Sequence, residues 1–161
     1  MREEELSHIV RQVVSQISGM PEDMTLHLAQ KLVGRVAQKA TEMGVNAVIA
    51  VVNRAGHPVA VACMDDAYIA SYDIALHKAF TSAALKMATK ELKTLSQPNG
   101  PLYGIQHTNG GKIVIFGGGV PLVCQGKIVG ALGVSGGSEE QDTALGDFGA
   151  RAFEDILREA K

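Results

Sequence analysis

The chain has 161 residues, of which 46% are hydrophobic and 20% are charged; its net charge is −2 and its aromatic content only 4%. This size and composition predict one folded domain with a short extension, and the charge balance excludes the basic surface that nucleic acids or anionic membranes require. No apolar run reaches the roughly 20 residues of a membrane span, and the N-terminus lacks the apolar core of a signal peptide. We therefore expect a cytoplasmic protein.

The first predicted element is an amphipathic helix over residues 2–18. A second helix is predicted from Thr25 to about Met43, with Asp23 or Thr25 as its cap and Gly44 at its end. In the first helix, apolar residues recur at intervals of three and four, which places them on one face: Leu6, Ile9, Val10, Val13, Val14 and Ile17.

The middle of the chain predicts a hairpin followed by helices. Residues 47–52 form a continuous apolar run typical of a buried strand, and residues 57–63 return as its partner after a short turn. The pattern is then helical over residues 67–88, and Thr89–Leu95 predicts a further short helix. Prolines and glycines over residues 96–101 indicate a loop.

Three more strands are predicted over residues 112–116, 120–124 and 128–134, and a last helix begins near Glu139. Short turns between neighbouring strands favour antiparallel pairing over a βαβ array. The predicted fold is therefore of the α/β (α+β) class, an α-β-α sandwich with a five-stranded antiparallel sheet.

Glycines are concentrated in the second half of the chain, where ten of the eighteen lie between Gly110 and Gly137. Glycine weakens a strand except where the backbone bends or another group approaches it closely. The spacing matches neither the dinucleotide-binding pattern nor the phosphate-binding loop. We expect turns and close contacts at a subunit or ligand surface.

Histidines and cysteines are scattered, without the spacing of a zinc site. Cys63 and Cys124 are expected to be buried and reduced. A haem iron needs only one or two axial imidazoles, which folding or subunit contact can supply. His27, His77 and His107 are the candidates, and a surface or structural role is the alternative for each.

A second hypothesis is an enzyme that acts on a small metabolite. Its pocket would be shaped by the turn at residues 117–119 and by the segment 135–141. Lys78, Asp73 and Tyr103 are the polar candidates, and Lys78 and Asp73 are predicted to pair along one helix face. Solvated charges are the alternative interpretation of the two charged residues.

Six segments together resemble the GlcG/HbpS family, which also includes the C-terminal domain of the PduO corrinoid adenosyltransferases. The resemblance covers residues 22–160, with the segments in the family's order. They are Ile49 to His57, Ala62 to Asp65, Ser71 to Ala79, Gly100 to Gly104, Phe116 to Leu122, and Gly130 to Gly137 with Glu140 to Asp142.

The resemblance implies a profilin-like sandwich, homo-oligomers that are commonly octamers, and haem binding, as in several members. The resemblance does not fix the metal ligand; His27 is the first candidate, because at the start of the domain's first helix it could face a neighbouring subunit. The full set of candidate cofactor-binding residues is His27, His77, His107, Lys78, Tyr103, Gly118 and Gly119. The adenosyltransferase chemistry of PduO belongs to another domain.

The N-terminal helix, within residues 1–20, is an addition to the family domain of residues 21–161. Residues 5–17 look like the encapsulation peptides that direct cargo into bacterial microcompartments. Such helices pack their apolar faces against shell proteins or one another. The chain is therefore expected to contact microcompartment shell or cargo proteins through residues 1–18. The alternative is a helix that covers the domain's own sheet or an oligomer contact.

Overall fold

The computed structural model describes residues 3–160. Two short 3-10 turns, Ile105–His107 and Asn109–Gly111, lie between the fourth helix and the third strand. The helices and strands follow in the order α1 (Glu3–Ser18), α2 (Leu26–Glu42), β1 (Val48–Asn53), β2 (Pro58–Cys63), α3 (Ser71–Leu85), α4 (Thr89–Leu95), β3 (Gly119–Cys124), β4 (Lys127–Ser135) and α5 (Glu139–Glu159).

The four strands form one antiparallel sheet in the order β2-β1-β4-β3. Successive side chains of a strand point to opposite faces. In β1, Ile49 and Val51 therefore join the core under α2 and α5, while Val48, Ala50 and Val52 join a second core under α3. Helices thus cover both faces, and the continuous apolar run of β1 is buried on both sides.

The predicted strand over residues 112–116 is wrong, and the sheet has four strands rather than five. This segment has an apolar pattern, but it runs beside α3 without a strand partner. The Thr81 hydroxyl accepts a hydrogen bond from the Val114 N–H (3.0 Å) and lies 3.3 Å from the Lys112 carbonyl oxygen. The single hydrogen of this hydroxyl is directed to the His77 carbonyl at 2.7 Å. A helix side chain therefore binds the Val114 N–H, a group that a neighbouring strand would otherwise bind.

Close contact between α3 and the sheet explains one central glycine. A Cβ atom at Gly133 of β4 would lie 2.0 Å from the Ala75 carbonyl oxygen and 2.6 Å from the Ala79 nitrogen. No side chain fits in that space, so glycine lets the helix and strand backbones touch. The expectation that these glycines mark close contacts is correct here.

Helix α1 lies at the periphery of the fold. The part of the chain that the structure describes includes five apolar side chains of its stripe, and all of them remain 44% to 57% exposed: Leu6, Ile9, Val10, Val13 and Val14. The predicted helix also included residue 2 and the Ile17 side chain, which lie outside the described parts. Within residues 3–160, no helix combines the length and apolar character needed to cross a bilayer.

Two further predictions need correction. The third helix is shorter than residues 67–88, because a tight turn precedes Ser71 and Lys86 adopts the left-handed conformation (φ 56°) that ends it. Cys124 is buried, but Cys63 is exposed because it is the last residue of the edge strand β2. The two thiols therefore do not form the expected buried pair.

Candidate functional site

A fully buried lysine lies between α3 and the start of α5. The Nζ of Lys78 donates to the Val134 carbonyl (2.8 Å) and to Oδ2 of Asp142 (3.0 Å), and it lies 5.0 Å from the centre of the Phe116 ring. Burial lowers the pKa of Lys78, and the Asp142 carboxylate opposes this shift. The predicted pairing with Asp73 is wrong, because residues five apart do not share a helix face.

Asp142 reaches Lys78 because α5 begins immediately after β4. Ser138 caps the helix: its hydroxyl accepts from the Gln141 N–H, while the Gln141 side-chain oxygen accepts from the Ser138 N–H. This fixes the first turn, which carries Asp142. Its Oδ1 accepts from the Gly137 N–H at 2.9 Å. One carboxylate therefore ties the strand-to-helix turn to α3.

Gly118 and Gly119 lie directly over Lys78. A Cβ at Gly118 would lie 2.7 Å from the Lys78 Nζ, and one at Gly119 would lie 2.6 Å from the Lys78 carbonyl oxygen. The Gly119 N–H donates to the Thr89 hydroxyl at 2.9 Å. Both glycines are buried, and their backbones close the site around the lysine.

A cleft of about 310 Å³ opens beside this ion pair, where β4 meets α5. One side is apolar, and the opposite side is polar. The apolar side is formed by Tyr68, Ala70, Ile74 and Phe116, and the polar side by Ser71, Ser135, Glu139 and Asp142, with Gly136 and Gly137 between them.

The polar side of the cleft holds two carboxylates, each with its own lysine. Glu139 accepts from Lys93 and from the Gly117 N–H (3.1 Å), and these bonds, the one to Lys93 first, lower the pKa of Glu139. Asp142 forms its ion pair with Lys78 at 3.0 Å. Lysines therefore balance both carboxylates, and most of the lining of the cleft is apolar.

A second cleft of about 430 Å³ lies on the other side of Tyr68. It shares Tyr68, Gly136 and Gly137 with the first, so the tyrosine separates two adjoining depressions. Its remaining lining comes from the end of α2, the turn after β2 and the first turn of α5: Gly44, Val45, Asn46, Asp66, Ser138 and Gln141.

The structure does not bring the candidate histidines into either cleft. His27 is exposed in the first turn of α2, His77 is half-buried on α3, and His107 is exposed in a 3-10 turn. Tyr103 is 67% exposed and lines neither cleft. Because α2 and α3 cover opposite faces of the sheet, His27 and His77 of one chain cannot bind the same iron.

No metal-binding cluster of three or more His, Cys, Asp or Glu side chains occurs among the described residues. An axial haem ligand requires only a single accessible imidazole. The side chain of His27 meets that requirement, since it is exposed and next to Leu26, an apolar side chain that is 55% exposed. At the start of this helix, His27 could therefore bind a haem iron, and Leu26 could contact a small part of the apolar macrocycle.

Of the two segments predicted to shape a pocket, residues 135–141 line the cleft, whereas residues 117–119 line neither cleft. The sequence did not indicate which other side chains meet there. Ser71, Phe116 and Asp142 come from three separate parts of the chain. In the sequence, Asp142 stands out only as part of a segment that resembles the family, and nothing there indicates that it pairs with Lys78. A sequence signal did exist in the first turn of α5, where an acidic residue follows a capping box and favours the helix N-terminus.

The fold and site define an α+β protein whose four-stranded antiparallel sheet is covered on both faces by helices, with a cleft at a strand-to-helix junction. The family model described as "Haem degrading protein HbpS-like" matches residues 24–151. The chain belongs to this HbpS-like family.

Two relatives show how the domain occurs in other proteins. An uncharacterized 15.0 kDa protein of the dhaT-dhaS intergenic region of Citrobacter freundii is 43% identical over 133 residues, covering 83% of this chain and 94% of that protein. The corrinoid adenosyltransferase PduO of Salmonella typhimurium is 38% identical over 122 residues, covering 76% of this chain. This chain spans only 36% of the length of PduO.

A solved structure of the same fold contains haem. The crystal structure of the PduOC:Heme complex is similar to this chain with a TM-score of 0.77 and 35% identity, covering 81% of this chain and 94% of that one. The similarity thus extends over nearly the whole haem-containing protein.

Proposed function

We propose that this protein binds haem or a related tetrapyrrole as a homo-oligomer. The observation that carries the proposal is the 35% identity to the PduOC:Heme complex over 94% of that chain. The match to PduO itself covers about a third of that enzyme. We therefore infer ligand binding for this chain and do not assign it the adenosyltransferase activity of PduO.

His27 is the proposed axial ligand, with His77 and His107 as alternatives. An iron ligand must offer a free ring nitrogen to a planar macrocycle, which needs open space on one side of the imidazole. His27 has that space at the start of α2, whereas His77 is half-buried on α3. When bound, haem would supply redox-active iron, and the role of this chain would be to hold and orient it.

A second copy of the chain would complete the site. His27 lies on an open surface, and neither cleft is lined by a histidine. A porphyrin bound at the start of α2 of one copy would leave its other face uncovered, and burial of that face favours association. The family resemblance suggests an octamer. Light scattering with and without haem measures whether the copies assemble.

Absorption spectroscopy tests haem binding directly. Titration of the purified protein with haem should shift the Soret band to that of a histidine-ligated form, and His27→Ala should abolish or alter the shift. His57→Ala is the matched control, because His57 is exposed in the β1–β2 turn. An unshifted band, or one that none of His27→Ala, His77→Ala and His107→Ala changes, would refute this function.

We further propose that α1 directs the protein into a bacterial microcompartment. The support is the amphipathic stripe of α1, whose apolar side chains stay about half exposed although the rest of the chain has a complete core. An exposed apolar face of this kind is suited to a helix-in-groove partner such as a shell or cargo protein.

A reporter fused to residues 1–20 tests the targeting. In cells that form microcompartments, the fusion should concentrate in them, and Val10→Ser with Val13→Ser should disperse it. His8→Ser is the matched control on the polar side of the helix. If the full protein still localises to compartments after deletion of residues 1–20, the targeting role is wrong.

A further inference from the structure

The cleft between α3 and the start of α5 has a chemical character different from that of a tetrapyrrole site. Haem carries propionate anions, whereas the polar side of this cleft presents the carboxylates of Glu139 and Asp142. Ionised carboxylates only accept hydrogen bonds, so a propionate finds no donor in either of them. A ligand for this cleft must therefore be sought in another class.

The hydrogen-bonding groups of the cleft restrict the head group of its ligand. The Ser135 hydroxyl donates to the Ser71 hydroxyl at 3.1 Å, and both side chains are more than 90% buried. Each hydroxyl carries one hydrogen, so the Ser71 hydrogen is still available to a ligand. The carboxylate oxygens of Glu139 and Asp142 retain lone pairs beyond the bonds they already accept.

A head group that both accepts from Ser71 and donates to a carboxylate would use both kinds of polar group that line the cleft. An alcohol does both, whereas an ammonium only donates and a carboxylate only accepts. Charge leads to the same choice. Lys93 and Lys78 already neutralise Glu139 and Asp142, so the cleft holds no uncompensated charge that would select a cation.

The opposite side of the cleft restricts the body of the ligand. Ala70, Ile74 and the Phe116 ring form an apolar wall, with the exposed Tyr68 ring at the rim. The volume of about 310 Å³ is at the small end of ligand pockets. We propose that this cleft binds a small neutral alcohol through its hydroxyl, with a short apolar chain against Ile74 and Phe116.

Three probes with the same carbon chain and different head groups test this inference on the unaltered protein. They are 1-butanol, butylammonium and butyrate, each titrated by saturation-transfer NMR. We expect 1-butanol to bind about tenfold more tightly than butyrate, the ratio that corresponds to one hydrogen bond left unmade. Equal or tighter binding of butyrate or butylammonium, or no binding of the alcohol, would overturn the proposal.

A serine substitution locates the bound alcohol. Ser71→Ala should weaken 1-butanol binding about tenfold. Ser96→Ala is the matched control, because Ser96 is also buried but bonds to the Lys93 carbonyl outside the cleft. Unchanged alcohol binding in Ser71→Ala, or equal loss in Ser96→Ala, would place the alcohol elsewhere and refute the assignment. Haem titration of the same variants reports the proposed tetrapyrrole site separately, so failure of one does not imply failure of the other.

Discussion

Replacement of Lys78 by methionine is the most informative test of how this fold is held together. Methionine keeps the length and apolar stem of the side chain but removes the ammonium. The Asp142 carboxylate, 6% exposed, would lose its charged partner and keep only the Gly137 N–H. The Val134 carbonyl would also lose a donor.

The expected cost follows from the burial of both partners. Removing one member of a buried ion pair typically destabilises a protein by about 3–5 kcal/mol, because the other charge stays buried and uncompensated. The double variant Lys78→Met with Asp142→Asn removes both charges, and the asparagine oxygen can still accept from Gly137. We expect the double variant to be about 1–3 kcal/mol more stable than Lys78→Met alone.

Urea unfolding followed by circular dichroism measures these differences. All variants are compared at one protomer concentration, because assembly adds concentration-dependent stability. Lys90→Met is the matched control: Lys90 pairs with Asp147 on the surface, where such pairs contribute about 0–1 kcal/mol. The reasoning is refuted if Lys78→Met costs no more than Lys90→Met, or if the double variant is no more stable than Lys78→Met.

Three further predictions test individual contacts. Gly133→Ala should destabilise the protein by about 1–3 kcal/mol or more in urea unfolding, because its Cβ would overlap the backbone of α3. The control Gly34→Ala, in open space on α2, should stabilise the protein by about 0.5–1 kcal/mol. Equal effects of the two substitutions would contradict the close contact at Gly133. The lowered pKa of Glu139 means that the folded state binds fewer protons than the unfolded state, so the ionised carboxylate stabilises the fold above pH 4.5 and this stabilisation is lost as the pH falls through the folded pKa. Glu139→Gln and Lys93→Met should therefore each flatten the acid limb of a profile of unfolding free energy against pH. An unchanged acid limb would exclude a stabilising bond between Lys93 and Glu139. Thr25→Ala should cost about 1 kcal/mol in thermal unfolding through loss of the α2 cap, and no cost would mean that the cap is dispensable.

Periodicity alone predicted most of the secondary structure. The bounds of α2, α4, α5 and the β1–β2 hairpin agree with the apolar spacing and the capping residues, since these signals act within a few residues of the chain. The motifs quoted for the family also identified it, which the match over residues 24–151 confirms.

The errors arose where distant parts of the chain meet. Residues 112–116 have a strand-like pattern, yet they pair with no strand, and the Val114 N–H donates to the Thr81 hydroxyl of α3 instead. Lys78 was predicted to pair with Asp73 because the sequence shows only the local spacing of residues along a helix. Its actual partner, Asp142, lies 64 positions away.

The sequence by itself therefore determined most of the elements, the antiparallel pairing and the family, because local spacing and short turns encode them. Only the tertiary structure decided that Lys78 is buried against Asp142 and that Ser71, Phe116 and Glu139 share a cleft. It also decided that His27 and His77 lie on opposite sides of the sheet. The physical reason is that these relations depend on how the helices pack on the sheet. The burial of a charged side chain such as Lys78, and its pairing with a residue far along the chain, leave no local periodicity in the sequence.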